Sequence, residues 1–334
     1  MKIDQRLIPH VTTININPIY PAHPMKTILL VGFTKDQETE LKKLPATFIT
    51  ADETDVLNKI KDAHALVGLN RDILDKIITD DLIKAGKHLK WIHAAGAGVD
   101  KYLVNELVKS SIIFTNGKII QGPHVADHAL ALLLTLTRTI HHTLRNTPAK
   151  RPIELRGKTA VVIGCGGVGM LIAERAAGFG MRIHVVDEVN IPYLKMIEKF
   201  YLPEQLEEAL KTADVVFVSA ALTKRSKNII NTKELAAIKP NTYFINIARG
   251  GLVDTNALTS AAHKFAGIGL DVTEPEPLPQ NHPLRSMPNV VITEHIAGLS
   301  DVNHIRRWEH VKTNIEHFIK DLPLLNIVDK ELGH

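Results

Sequence analysis

The sequence predicts an α/β protein made of two doubly wound parallel-sheet units with a cleft between them. Three observations predict it. Short β-branched runs alternate with amphipathic helical stretches from Lys26 onward, the order that parallel strands and crossover helices require. These strands fall into two series, separated by a long apolar helix and a basic connector. The length of 334 residues suits about two domains of ~150 residues each.

In chain order, the first series is KTILLVG, ATFITA, AHALVGL and KWIHA, with IIFT as a fifth strand. KDQETELKK, ETDVLNKI and the run from Asp72 to Ala85 carry helical periodicity between them. GPHVADHALALLLTLTRTIHH then opens on Pro123 and is apolar on most faces, which predicts one long helix buried between two layers. The connector RNTPAKRPIELRGK reads as a solvated linker. The second series is TAVVIG, RIHVV, DVVFVS, TYFINI, GIGLDV and NVVIT, with helices from Pro203 and over KELAAI and DTNALTSAA. A last helix is expected from Asp301 to about Lys320.

Composition narrows the function. With 45% hydrophobic and 23% charged residues the chain is of ordinary globular type. Its net charge of +4, from 40 basic and 36 acidic residues, gives no reason to expect a nucleic-acid partner. The most apolar uncharged stretch, Thr159 to Ala173, is fifteen residues long and holds four glycines. A membrane span needs ~18 apolar residues, so no membrane association is expected. The N-terminus lacks the apolar core of a secretory signal, and a cytoplasmic location is the default. Cys165, the single cysteine, excludes an intramolecular disulfide. Seventeen histidines raise the question of a metal. His124 and His128 stand one helical turn apart, but the acid between them is Asp127 and no third ligand is identifiable, so no metal site is expected. His141, His142 and most others read as solvated.

The sharpest local signal is TAVVIGCGGVGMLIAERAAGFGMRIHVVDE. A strand enters Gly164-Cys165-Gly166-Gly167-Val168-Gly169, a helix follows at once, and a second strand ends at Asp187, eighteen residues past the last glycine. That order defines a dinucleotide site. Gly164 permits the tight turn, Gly166 lets backbone approach a pyrophosphate, and Gly169 lets the helix pack on the sheet. The helix MLIAERAA follows the loop, in which Gly167 and Val168 are also expected to meet the dinucleotide, and its N-terminal N–H groups suit phosphate. Asp187 is expected to accept ribose hydroxyls and, with Glu188, to repel a 2′-phosphate, which favours NAD over NADP. Cys165 reads as a small apolar filler.

Reaction chemistry must come from the strand ends. TYFINI runs into Arg249, GIGLDV carries Asp271 and leads to Glu276, and NVVIT runs into Glu294 and His295. An arginine, carboxylates and a histidine thereby reach one rim of one sheet.

With Gly96-Ala97-Gly98-Val99-Asp100, Val125-Ala126-Asp127-His128-Ala129-Leu130, the glycine loop with Asp187, Asn246-Ile247-Ala248-Arg249-Gly250-Gly251, Leu270-Asp271-Val272 followed by Glu276-Pro277, and His295-Ile296-Ala297-Gly298, the chain resembles the D-specific 2-hydroxyacid dehydrogenase family from about Lys26 onward. The resemblance implies a flavodoxin-like substrate domain from residues 1–123 and 300–334, and a Rossmann NAD-binding domain from 124–299. It implies reduction of a small 2-oxo acid, such as glyoxylate, hydroxypyruvate or pyruvate, to the D-2-hydroxy acid by a homodimer.

By the same resemblance, Arg249 binds the substrate carboxylate with the N–H groups of Ala97 and Gly98. His295 exchanges the proton, and Glu276 holds its imidazole. Ala220, Ile247, Ala248, Arg249, Asp271, His295, Ala297 and Gly298 join the glycine loop in holding NAD. Leu69, Asn70, His93 and Trp308 are candidates for the side-chain pocket.

The chain departs from the family pattern at several positions. Glu294 replaces a usual proline, an added charge that acts on the histidine or reshapes its loop. Ala221 replaces a proline, Asp127 a glutamate, and the connector lacks a tryptophan. Two other readings share much of this pattern: NAD-binding corepressors of the C-terminal binding protein type, and phosphoglycerate dehydrogenase-like enzymes. The corepressors share the catalytic trio, but no added interaction tail is seen beyond the short N-terminal segment, which favours an enzyme over the former, and the short C-terminal tail argues against the regulated form of the latter.

Overall fold

The computed structural model describes residues 25–148, 151–189 and 195–333. The N-terminal segment that lacks the apolar core of a secretory signal lies outside these residues. Two parallel sheets organise the chain. The first contains β1 (Thr27–Val31), β2 (Thr47–Ala51), β3 (Ala65–Gly68), β4 (Trp91–Ala94) and β5 (Ile113–Asn116), in the order β2-β1-β3-β4-β5. The second contains β6 (Thr159–Ile163), β7 (Arg182–Val186), β8 (Ile197–Tyr201), β9 (Val215–Val218), β10 (Tyr243–Asn246), β11 (Gly267–Leu270) and β12 (Val290–Ile292). Its order is β12-β11-β10-β9-β6-β7-β8, and the direction of winding reverses between β6 and β9.

Both sheets are covered on both faces because alternate residues of each strand point to opposite sides. In β1, Ile28 and Leu30 meet Val311, Ile315 and Phe318 of the last helix, Asn303–Ile319. Leu29 and Val31 face Leu74, Leu82 and Ile83 on the other side. In β6, Ala160 and Val162 pack with Ala129, Leu132, Leu133 and Leu136 of the long helix Gly122–Thr137. Val161 and Ile163 pack with Leu206, Leu210 and Leu235. The tail after the last helix returns to the first sheet. Val328 N–H donates to Phe114 O at 2.8 Å, and Lys330 Nζ donates to the carbonyls of Leu107, Ser110 and Ile112.

Several expectations change. The long helix ends at Thr137, not His142. Thr139 takes the left-handed conformation at φ 58°, and a separate helix, Ile140–Leu144, begins after it. That break turns His141 and His142 inward, so they are buried rather than solvated. His141 Nδ1 lies 3.0 Å from Thr135 O, and His142 Nδ1 lies 2.9 Å from Thr147 Oγ1. The helical run from Asp72 to Ala85 is two helices, Arg71–Ile77 and Asp80–Ala85, divided where the Thr79 hydroxyl accepts Leu82 N–H and caps the second. β8 was not anticipated. No helix among the described residues is long and apolar enough to cross a membrane.

Candidate active site

The glycine loop leaves β6 at the point where the winding of the second sheet reverses, the position where such sheets bind ligands. Gly164 sits at φ 85°, and a Cβ there would stand 2.4 Å from Ala220 Cα, so the turn and the close approach to the loop after β9 both require glycine. The helix Gly167–Gly178 starts directly behind it. A Cβ on Gly166 would meet nothing within 4 Å, so the backbone faces open space at that helix N-terminus. Asp187 stands at the end of β7 and ties itself to the loop: Cys165 N–H donates to Oδ2 at 2.5 Å, and Val189 N–H to Oδ1 at 3.0 Å. Glu188 is paired with Arg225 at 3.0 Å. An open backbone cradle at a helix N-terminus with a carboxylate beside it fits a dinucleotide with free ribose hydroxyls. Burial, with the Asp187 charge in support, pushes the Cys165 thiol up to about 11, so it is an inert filler.

A cleft of about 720 Å³ runs along the C-terminal ends of β10, β11 and β12 and is lined by Arg249, Asp271, Glu276 and His295, with Asp100 and Lys101 from the first sheet's side. Asn246 shapes the turn after β10: its side-chain amide donates to Arg249 O at 3.0 Å and its oxygen accepts Ala248 N–H at 3.1 Å. Arg249 then reaches towards the first sheet. Its Nε donates to Asp100 Oδ1 at 3.2 Å, its Nη1 to Ala248 O at 2.7 Å, and its Nη2 lies where a Cβ on Gly98 would stand only 1.5 Å away. Among the described residues the N–H groups of Ala97 and Gly98 have no protein acceptor. Asn116 fixes that loop by donating to Ala97 O at 2.6 Å.

His295 occupies the left-handed region at φ 54°, and its surroundings hold it there. Its N–H donates to Asp271 O at 2.9 Å. The Asp271 carboxylate accepts Thr293 Oγ1–H at 2.6 Å and the N–H groups of Ile296 and Ala297 at 3.0 Å each. His128, on the long helix, reaches Thr293 Oγ1 at 2.9 Å. Burial alone would raise the Asp271 carboxyl, but hydrogen bonds from His128, Thr293, Ala297 and Ile296 outweigh it and bring it to about 2. Asp271 is therefore ionised and committed to the loop that carries the histidine. The histidine itself bonds outward: His295 Nδ1 lies 2.5 Å from Glu276 Oε1. A carboxylate only accepts, so Nδ1 carries the proton of that bond.

Not every predicted residue meets the cleft. Leu69, Asn70, His93 and Trp308 do not line it. His93, a residue of β4, is fully buried and bonded through Nδ1 to Thr115 Oγ1 at 2.8 Å, and Trp308 packs edge-on against Phe33. Side chains of Ile247 and Ala297 are buried, so these two can offer a ligand only backbone. Gly298 O instead accepts from Gln121 Nε2 and Asn303 Nδ2. Sequence reasoning missed Asp100 and Asn246 as partners of Arg249, although both stand inside quoted motifs. It also missed Arg285, which pairs with Glu294 at 3.2 Å. No group of three or more potential metal ligands occurs among the described residues.

Such a fold and rim define a dinucleotide-dependent oxidoreductase. Comparison with known proteins sharpens this. A model of the D-isomer specific 2-hydroxyacid dehydrogenase NAD binding domain matches residues 130–297. The chain is 34% identical over 294 residues to a glyoxylate reductase of Pyrococcus furiosus, spanning 83% of this chain and 85% of the relative. In structure it is similar to a glyoxylate reductase from Paecilomyes thermophila, with a TM-score of 0.81 and 26% identity over 92% of this chain and 100% of that one. It is also similar to D-lactate dehydrogenase from Aquifex aeolicus complexed with NAD and lactic acid, with a TM-score of 0.72 and 27% identity over 90% of this chain and 99% of that one. The chain belongs to the D-isomer specific 2-hydroxyacid dehydrogenase family. It is an NAD-dependent oxidoreductase of 2-hydroxy acids.

Proposed function

We propose that the enzyme reduces a small 2-oxo acid, glyoxylate or a close homologue, to the D-2-hydroxy acid through a His295–Glu276 proton relay and an Arg249 carboxylate clamp. The observation that carries this reading is the 2.5 Å His295–Glu276 bond in the same cleft as an arginine with an uncommitted Nη2. NAD(H), held by residues 164–169 and Asp187, supplies the hydride chemistry. Arg249 Nη2 and the unpaired N–H groups of Ala97 and Gly98 would grip the substrate carboxylate from two sides and orient its carbonyl. Glu276 fixes the imidazole through Nδ1, leaving Nε2 to give a proton to the carbonyl oxygen in reduction and take it back in oxidation. Asp271 holds the histidine loop on the nicotinamide side and takes no part in proton transfer.

The division into a substrate domain of residues 1–123 and 300–334 and a nucleotide domain of residues 124–299 is part of this proposal. It is supported by the return of the last helix and tail to the first sheet, and by the packing of the long helix on the second. The deciding experiment follows NADH oxidation against glyoxylate, hydroxypyruvate, pyruvate and 3-phosphohydroxypyruvate, with NADPH in parallel. Turnover of the first three with NADH supports the reading. Preference for the phosphorylated acid moves it to a phosphoglycerate dehydrogenase-like enzyme, and tight NADH binding without any turnover sinks it.

A further inference from the structure

The residue before His295 is acidic, in a cleft that already holds Glu274 and Glu276 and that binds an anion in the proposed reaction. An unanswered carboxylate there would crowd the relay with negative charge. Arg285 answers it. This arginine lies on the short helix Pro283–Ser286, which is anchored by the fully buried Leu284, and its side chain is only 20% exposed. Nη1 donates to Glu294 Oε1 at 3.2 Å. The remaining donors turn the other way: Nη2 donates to Leu278 O at 2.7 Å, and Nε is shared between the carbonyls of Leu278 and Pro279 at 3.2 Å each.

Leu278 is two residues past Glu276, and Glu294 is one residue before His295. A single planar guanidinium therefore joins the two arms of chain whose tips form the 2.5 Å bond. We infer that Arg285 is a positioning residue for the His295–Glu276 pair, acting through Glu294 and the Leu278 carbonyl. The inference rests on the proposed reductase reading. Asp271 holds the left-handed turn at His295 from the buried side, and Arg285 holds it from the cleft side. The fork matters as well as the charge. A lysine ammonium can meet the carboxylate or the carbonyls, but it lacks the flat, divergent donors that meet both.

The test compares Arg285→Met, Arg285→Lys, Glu294→Gln and the double variant Arg285→Met/Glu294→Gln. Four quantities are read: kcat and KM for the best 2-oxo acid, NADH affinity, and the low-field proton resonance of the His295 Nδ1–H, assigned by its loss in Glu276→Gln. Displacing a catalytic group by a fraction of an ångström to 1 Å costs about tenfold to a hundredfold in rate. Arg285→Met is therefore expected to lower kcat by about that factor and to broaden the resonance, while KM and NADH affinity stay within about threefold. Arg285→Lys should fall between it and the wild type. The double variant should be no worse than Arg285→Met, because the two residues act as one unit.

Wild-type kcat and an unchanged resonance in Arg285→Met would overturn the inference. So would losses that multiply in the double variant. If Arg285→Met does not fold, Arg285→Lys and Glu294→Gln, which keep the buried stem, carry the comparison. Should the wild type turn over no 2-oxo acid, the reductase reading fails by itself, and the resonance in the same variants still decides whether Arg285 holds the pair.

Discussion

The two sheets follow one building rule and meet the cleft differently. At the ends of β10, β11 and β12 the seven-stranded sheet delivers Arg249, Asp271, Glu276 and His295, each held by side-chain hydrogen bonds. At the end of β4 the five-stranded sheet delivers a loop of small residues, in which Gly98 leaves the space that Arg249 Nη2 occupies. Its one ionisable strand residue, His93, is sealed inside. One rim supplies the reacting charges, and the other, which flanks them with Asp100 and Lys101, supplies shape. A parallel sheet can therefore serve catalysis by what its loops omit as well as by what they present.

The strongest way to break this contrast is His295→Ala on the charged rim. Loss of a positioned proton donor is expected to lower kcat about 10²–10⁴-fold with NADH binding retained; unimpaired turnover would remove His295 from the mechanism. Next comes Gly98→Ala on the shaped rim. The new methyl would collide with the flexible end of Arg249, so kcat/KM should fall about tenfold to a hundredfold, the worth of a hydrogen bond to a charged group, with little change in melting temperature. Equal activity would show that the first sheet's loop is a bystander.

The contrast also has a pH signature. Burial first, then the neighbouring charges of His310 and Arg307, push His93 down to about 3. Between about pH 6.5 and about pH 3 the unfolded chain binds a proton there that the folded chain refuses, so this contribution to stability is whole above pH 6.5 and is lost as pH falls. By pH 5 the loss is about 2 kcal/mol. Urea unfolding at pH 7 and pH 5 should show that loss in the wild type and a smaller one in His93→Gln; equal slopes would refute it. The smallest effect is expected at Asp187. Asp187→Asn should weaken NADH binding about tenfold and narrow the gap between NADH and NADPH; an unchanged gap in titrations would assign the preference elsewhere.

What the sequence revealed depended on how local each signal was. β6, the glycine loop and Asp187 are legible because their physics is contained in one run of chain. Arg249, Glu276 and His295 could be placed on one rim because strand ends can be read one at a time. β8 escaped because it is a short edge strand of mixed exposure, with a register irregularity opposite Ile183 and His184 that blurs its alternation. The long helix was read past its end because Thr139 takes a positive φ without the glycine that usually announces one. Asp100 with Arg249, His128 with Thr293, and the double grip of Arg285 join segments that only the folded chain brings together. No periodicity encodes such pairs.

The last helix has a consequence in time. Strands β1 to β5 leave the ribosome before the second sheet, but Val311, Ile315 and Phe318, which close one face of their sheet, follow much later: roughly 190 residues separate Asn116 from Asn303. At ~5–20 residues per second, the sheet that holds Ile28, Leu30 and Trp91 waits about 10–40 s after its last strand before that helix begins. The segment between them contains all that the seven-stranded sheet needs. The sheet begun second can therefore be finished first, and the one begun first is completed only after the last helix emerges.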